Sequence, residues 1–453
     1  MPIIVGNTTS NTSISNSNIT VMSPQSFNTA NALRNVSAPS ISFPFAESTV
    51  VDPRITFSRA SSASYFNQAG VLTTAASDVP RIDFDPTTGA CNGLLIEEAR
   101  TNSIRNNTMV GAVAGTPGTI PTNWIFSNNV SGLNYQIVSI GVENGIQFLE
   151  ARFYGTAASS GVCGFLLGGI TDIAAVTAQT WTLSSYTKIS AGSTTNISSL
   201  AIGMDEYTSA SVFIKESEST LTTYTGSSLS ASRISYSYTL SGGATTAFVL
   251  PYMRFKIAGA GAVDITIRIG LPQMELGAFA TSAIQTSGAT ATRAQEQAYI
   301  PLGSWYNASA FSLLIECQKN TSADTGFSSP VGLNDGSGSH RSEFYVSPST
   351  ASLHLDAPSS GGADITAGTY TLSTPYKAAG AITGTSTTTG TMAASLNGAT
   401  AVTGTNTNLD SALYTRMNIG FIGAGGNQMN GWIQRIAYYP VAFSNTQLQA
   451  MTG

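Results

Sequence analysis

Three carboxylate pairs stand out in a chain whose residues are only 9% charged: Asp83/Asp85, Glu97/Glu98 and Asp205/Glu206. Two carboxylates at a set separation are what glycoside hydrolysis needs, one to protonate the leaving oxygen and one to act as base or nucleophile. Residues i and i+2 of a strand share a face, so Asp83 and Asp85 could be neighbours, whereas Glu97 and Glu98 point to opposite faces and cannot easily act together. The same window holds Arg54, Arg59, Arg81, Arg100 and Arg105. Carboxylates set among arginines pair with them or cap turns more often than they catalyse. We therefore expect Arg54, Arg59, Arg81, Asp83, Asp85, Glu97, Glu98 and Arg100 to form structural ion pairs, and no catalytic centre.

Other chemistries find less support. His340 and His354 are the two histidines of the chain, and no Cys-x-x-Cys spacing exists, which argues against zinc. Asn334-Asp335-Gly336-Ser337-Gly338-Ser339 could offer oxygens to Ca²⁺, but a glycine-flanked Asn-Asp reads first as a hairpin turn. No cofactor is expected, with Ca²⁺ at that loop as the alternative. No Gly-x-Ser-x-Gly elbow supports a serine nucleophile. Cys91, Cys163 and Cys317 read as three unpaired thiols.

Carbohydrate binding is the better functional reading. Sugars stack their apolar faces on aromatic rings and hydrogen-bond to amides and charged groups beside them. Trp181, Tyr186, Tyr207 and Tyr252 are the candidates in the middle of the chain, with Tyr236 and Tyr238 beside them. Asn334, Asp335, His340, Arg341 and Tyr345 are the candidates near the C-terminal end, followed by Tyr370 and Tyr376. The opposing reading is that most of these rings pack in cores or between subunits, where Tyr and Trp are commonly buried. Trp124, Trp305 and Trp432 sit at strand starts or in core strands and read as structural.

The elements that must position these residues are strands. The chain has 453 residues, 42% of them hydrophobic, with 44 Gly and abundant Ser and Thr. Ser and Thr compete with helix hydrogen bonds, and β-branched Thr suits a pleated surface, so the class is all-β. Ile55–Phe57, Val71–Thr74, Pro80–Asp85 and Gly93–Glu97 are short extended runs separated by turns. The runs 135–140, 146–153, 164–167, 181–186, 211–214, 234–240, 247–255 and 264–269 predict a sandwich or jelly roll. A third unit opens at Trp305 and includes Phe311–Cys317, an Asn397-Gly398 hairpin, Gly431–Tyr439 and a terminal helix capped by Ser444 with Gln447. The net charge of −5 and the lack of a basic run argue against nucleic acid as a partner, and no apolar run is long enough for a membrane helix. Residues 1–33 carry no charge; this Asn/Ser/Thr-rich tract with spaced Ile, Val and Met cannot form a core alone. The N-terminus lacks the features of a signal peptide.

The ordered phrases TFSRAS (56–61), YFNQAGVL (65–72), VPRIDFDP (79–86) and GLLIEEARTN (93–102) resemble the module of bacteriophage head-spike and virion fibre proteins. The phrase GLPQMELGAFATS (270–282), with YTKISAG (186–192), resembles carbohydrate-binding jelly rolls of phage fibres. The NG hairpin, GWIQRIAYYP (431–440) and SNTQLQAM (444–451) resemble concanavalin A-like, or laminin-G-like, domains, some of which bind calcium. The resemblance implies an attachment arm over 1–50, a head-spike module over 51–105, a jelly roll over 106–282, a linker over 283–304 and a concanavalin A-like domain over 305–453. It implies a homotrimeric structural spike on the virion surface, held to capsid or tail proteins through the arm, with head mounting preferred to tail. Its distal domains would adhere to host-surface or environmental glycans. A polysaccharide depolymerase is the enzymatic alternative.

Overall fold

The computed structural model describes residues 36–221, 228–241, 243–321, 326–337, 339–347, 352–357, 364–406, 409–423 and 426–453. Most of the expected arm, residues 1–35, lies outside them. The fold is all-β, with one α-helix among the described residues, Asn445–Thr452. That helix carries the expected capping box between Ser444 and Gln447. No helix among the described residues is long and apolar enough to cross a membrane.

Two antiparallel sandwiches make up the molecule. In the middle one, a five-stranded sheet runs 233–239, 180–192, 261–276, 146–157, 133–143. It faces a second five-stranded sheet ordered 213–221, 197–207, 248–257, 161–166, 125–128. Alternation builds these strands: along Gly261–Leu276, Val263, Ile265, Ile267 and Ile269 enter the core while Asp264 and Arg268 point away. The strand Ile197–Tyr207 was not among the expected runs. Its inward Leu200, Ile202 and Met204 alternate with Ala201 and Gly203, which look featureless in sequence.

The second sandwich draws on both ends of the chain. Its larger sheet runs 402–406, 390–396, 376–383, 310–319, 431–439, 91–96, 82–84, with 41–43 also paired to 431–439. Its partner sheet runs 56–58, 297–301, 416–419, 328–334, 341–347, 352–356, 364–369. Ile82, Phe84, Leu94 and Ile96 lie in one core with Ile315, Ile433 and Ile436. This corrects the expected boundaries. Residues 51–105 do not fold as a separate module, because Ile55, Ile82, Phe84, Leu94 and Ile96 complete the C-terminal core. Residues 283–304 are no linker either: Ala291–Arg293 pairs with Arg100–Asn102, and Gln297–Pro301 puts Ala298 and Ile300 into that core. The middle sandwich is an insertion between two sets of strands that belong together.

A small third cluster joins the two. Leu72, Ile146, Phe148, Tyr186, Leu229, Leu271 and Ala283 are buried together, with Phe66 against them. It covers the outer face of the sheet that carries Tyr186 with the hairpin 63–66/72–75. Each of its Leu, Ile and Phe side chains contributes roughly 1.5–3 kcal/mol on burial, so a handful can hold two bodies in one orientation.

Candidate functional site

One device in the strand Gly261–Leu276 sets up the junction. Leu271 takes φ 42 where a bulge faces Ser184 and Tyr186. The bulge reverses the side-chain phase, so Met274 enters the core while Gln273 and Glu275 turn outward. Gln273 then accepts the Ile284 N–H at 2.6 Å, and Glu275 accepts the Thr281 N–H at 3.1 Å. The returning segment 281–284 is thereby fixed beside the strands of the second sandwich.

Five charged side chains are buried there. Arg81 donates Nε and Nη2 to Glu296 at 2.9 and 2.5 Å, and Nη2 to Glu97 at 2.9 Å. Arg59 reaches Glu296 at 2.7 Å, and Arg293 lies 3.1 Å from Glu97. The Glu97 N–H also donates to Glu296 at 2.9 Å. Burial alone would raise the Glu97 carboxyl; Arg293 and Arg81 outweigh it and bring the group down to about 2. Every member sits among charge-assisted bonds, which is what a buried ionic cluster requires.

The expected ion pairs divide accordingly. Arg59, Arg81 and Glu97 belong to the cluster; Arg100 and Glu98 pair beside it at 2.6 Å. Arg54 also forms an ion pair, but outside the cluster, with Asp52 at the surface. Asp85 is a correction, since its Oδ1 accepts from the Thr87 and Thr88 N–H groups and caps the 86–89 turn. Among the described residues Asp83 has no arginine ion-pair partner. Its Oδ1 accepts the Phe66 N–H at 2.8 Å and its Oδ2 accepts the Trp432 indole N–H at 2.9 Å. Burial raises the Asp83 carboxyl to about 6, against those hydrogen bonds and Arg81. Glu296, the hub, was missed as a site residue; its only sequence signal was that it and Arg293 were the charges of an otherwise polar connector.

Beside the cluster opens a cleft of about 310 Å³, lined by Phe66, Asp83, Tyr186, Arg233, Phe279 and Trp432 among others. Phe66, Phe279 and Trp432 are half-buried and line the cleft. Arg100 stacks on Phe279 at 4.6 Å and holds that wall. Aromatic walls with a few convergent polar groups are the usual make-up of a small-molecule or sugar site.

The expected sugar-binding aromatics are mostly elsewhere. Trp181 is 5% exposed and Tyr252 fully buried, the latter beneath Arg254 at 3.7 Å. Both were considered as sugar platforms; Trp181 instead points into the core between the two sheets, and Tyr252 is covered on the outer face of its strand by Arg254. Tyr186 is buried too, but it lines the cleft. Tyr207 is half-buried on the opposite sheet, edge-on to Phe213. In the other sandwich Asn334 is buried, accepting the Gly336 N–H at 2.9 Å, and Asp335 binds His340 and Ser337 within its own turn. The loop oxygens considered for Ca²⁺ thus serve the turn, and no cluster of three metal-ligating side chains of the His, Cys, Asp or Glu kind forms among the described residues. Arg341 pairs with Glu343 and Asp356. Tyr345 stacks on His354 with centroids 4.7 Å apart and donates to Asp364 at 2.7 Å. None of these five lines the cleft.

No family model matches the chain, and no curated protein matches it. Among solved structures, the chain is similar to the Ruminococcus gnavus IT-sialidase CBM40 bound to α2,6-sialyllactose, at 12% identity and a TM-score of 0.27, over 32% of this chain and 85% of that one. It is similar to the CBM22-1–CBM22-2 tandem of Paenibacillus barcinonensis Xyn10C, at 9% identity and a TM-score of 0.23, over 76% and 92%. It is also similar to truncated AlyQ with CBM32 and alginate lyase domains, at 11% identity and a TM-score of 0.20, over 73% and 97%.

Proposed function

We propose that this chain is a non-enzymatic glycan-binding protein whose ligand sits in the cleft walled by Trp432. The observation that supports this most is the Trp432–Asp83 pair. A half-buried indole is locked by its N–H in a cleft that also offers Phe66, Phe279 and Tyr186, and a fixed ring is the platform a sugar face needs. A weak site of this kind would gain from many linked copies.

The setting we propose comes from the sequence phrases of residues 56–102: a structural spike or fibre on a phage virion, assembled in the host cytoplasm and mounted on the head, with tail mounting as the alternative. We propose a homotrimer. Val138, Ile140 and Val142 are exposed along the edge strand Leu133–Glu143, a stripe suited to association between copies. A monomer mass in light scattering at micromolar concentration would count against it.

One observation favours a depolymerase as the second reading. Asp83 is raised to about 6 and Glu97 lowered to about 2, and both line the cleft, the split that acid–base pairs use. The non-enzymatic reading is preferred because Glu97 is saturated: it binds Arg81, Arg293 and both the N–H and hydroxyl of Ser282. Asp85 is likewise occupied by its turn. Incubation with bacterial surface polysaccharides tests this: binding without new reducing ends is expected, and reducing ends that vanish in Asp83→Asn would establish the enzyme instead.

A further inference from the structure

We infer that the cleft takes a glycan bearing a carboxylate, received by Arg233. The inference rests on the cleft being the glycan site. Arg233 lines it from the strand Arg233–Thr239, where its backbone pairs with Tyr186. Its guanidinium lies over the Tyr186 ring at 5.3 Å, and Nη2 donates to Ser184 Oγ at 3.1 Å. Nε is buried with no acceptor, as is that of Arg293, and the hydrogen bond the guanidinium makes goes to a hydroxyl and not to a carboxylate. The arginines of the neighbouring cluster, by contrast, each reach a glutamate.

This is the unfinished half of a recognition site. Arginine presents its donors as a planar fork that matches a carboxylate in two parallel bonds, and desolvation of Nε makes a charged acceptor worth more there. The aromatic face of Tyr186 fixes the fork's plane from behind. The acidic residues sharing the cleft do not fill the role: Glu97 is neutralised by Arg81 and Arg293, Asp85 is spent on its turn, and Asp83 is held by Phe66 and Trp432.

The test is equilibrium binding of four matched oligosaccharides by the full chain: a uronate, its uncharged methyl ester, a sulfated analogue and a phosphorylated one. Wild type, Arg233→Gln, Arg233→Lys and Trp432→Ala are compared, with thermal unfolding to confirm that each variant folds. The uronate is expected to bind at least tenfold tighter than its ester. Arg233→Gln should erase that preference while keeping ester binding, Arg233→Lys should restore part of it, and Trp432→Ala should weaken both ligands. Equal affinity for acid and ester, or a preference that survives Arg233→Gln, overturns the inference while leaving the glycan site standing. Tighter binding of the sulfated or phosphorylated sugar overturns the choice of carboxylate. Failure of all four ligands overturns the glycan reading and this inference with it.

Discussion

Trp432 donates its indole N–H to Asp83 at 2.9 Å across 349 positions of sequence. The bond links the last long strand of the second sandwich to one of the N-terminal strands that complete it. It therefore fixes the cleft wall only in a molecule whose two chain ends have come together. The aromatic platform and the closure of the fold are one structural event.

Replacing Trp432 should separate binding from folding. Trp432→Ala removes a half-buried ring at the cleft, and its ligand affinity should fall at least ~10-fold, or about 1.4 kcal/mol. Trp181→Ala, in contrast, hollows the core and should lower stability by ~3–5 kcal/mol with no selective loss of affinity. Calorimetric binding beside urea unfolding distinguishes the two. Equal losses of affinity in both variants would mean that Trp432 acts only through packing.

Glu296 is expected to be the most sensitive acidic residue. Glu296→Ala leaves Arg59 and Arg81, both without exposure, short of their shared counter-charge. The cost should be ~3–5 kcal/mol. Asp264→Ala, at an exposed pair with Arg152, should cost ~1 kcal/mol or less. Thermal unfolding of the two variants gives the comparison, and similar melting temperatures would refute the hub role.

Asp83 gives the molecule a pH signature. Its folded carboxyl is raised to about 6 while an unfolded aspartate titrates near 3.9, so the folded state holds the proton more tightly. Its contribution is full below pH ~4 and is lost as pH rises to ~6, by roughly 3 kcal/mol in all. Glu343 and Asp356 are raised by burial in the same direction, to about 7 and about 6, so the whole-protein curve is a sum. The difference between wild type and Asp83→Asn isolates one residue: Asp83→Asn should gain on wild type between pH 4 and 7. A constant difference across that range would show that Asp83 titrates as an ordinary aspartate.

The placement of many strands and turns was legible because it is local. Asn397 and Gly398 both take positive φ, as an NG turn requires, and Ser444 with Gln447 forms the cap their spacing announces. The cleft was not legible, because its parts are joined by non-local pairing. Nothing near Trp432 says that it will face Asp83, and nothing near Glu296 says that the two segments carrying Arg59 and Arg81 converge there. Burial misled in the same way. Tyr186 and Tyr252 alternate like surface residues of a two-sheet sandwich, and only the hairpin over the first and Arg254 over the second reveal that those outer faces are covered.

The edge strand Leu133–Glu143 offers a test of assembly. For the homotrimer proposed above, Ile140→Lys with Val142→Lys should lower the mass in multi-angle light scattering toward that of the monomer without changing the melting transition of the monomer. An unchanged mass would place the contact between copies elsewhere.

The most direct measurement is the indole N–H resonance of Trp432, followed by two-dimensional NMR of selectively labelled protein during titration with a binding oligosaccharide. The indole signal should shift progressively with ligand and saturate at the affinity found by calorimetry, while the Trp181 signal stays in place. Saturable binding that leaves the Trp432 indole unmoved would contradict the placement of the site in this cleft.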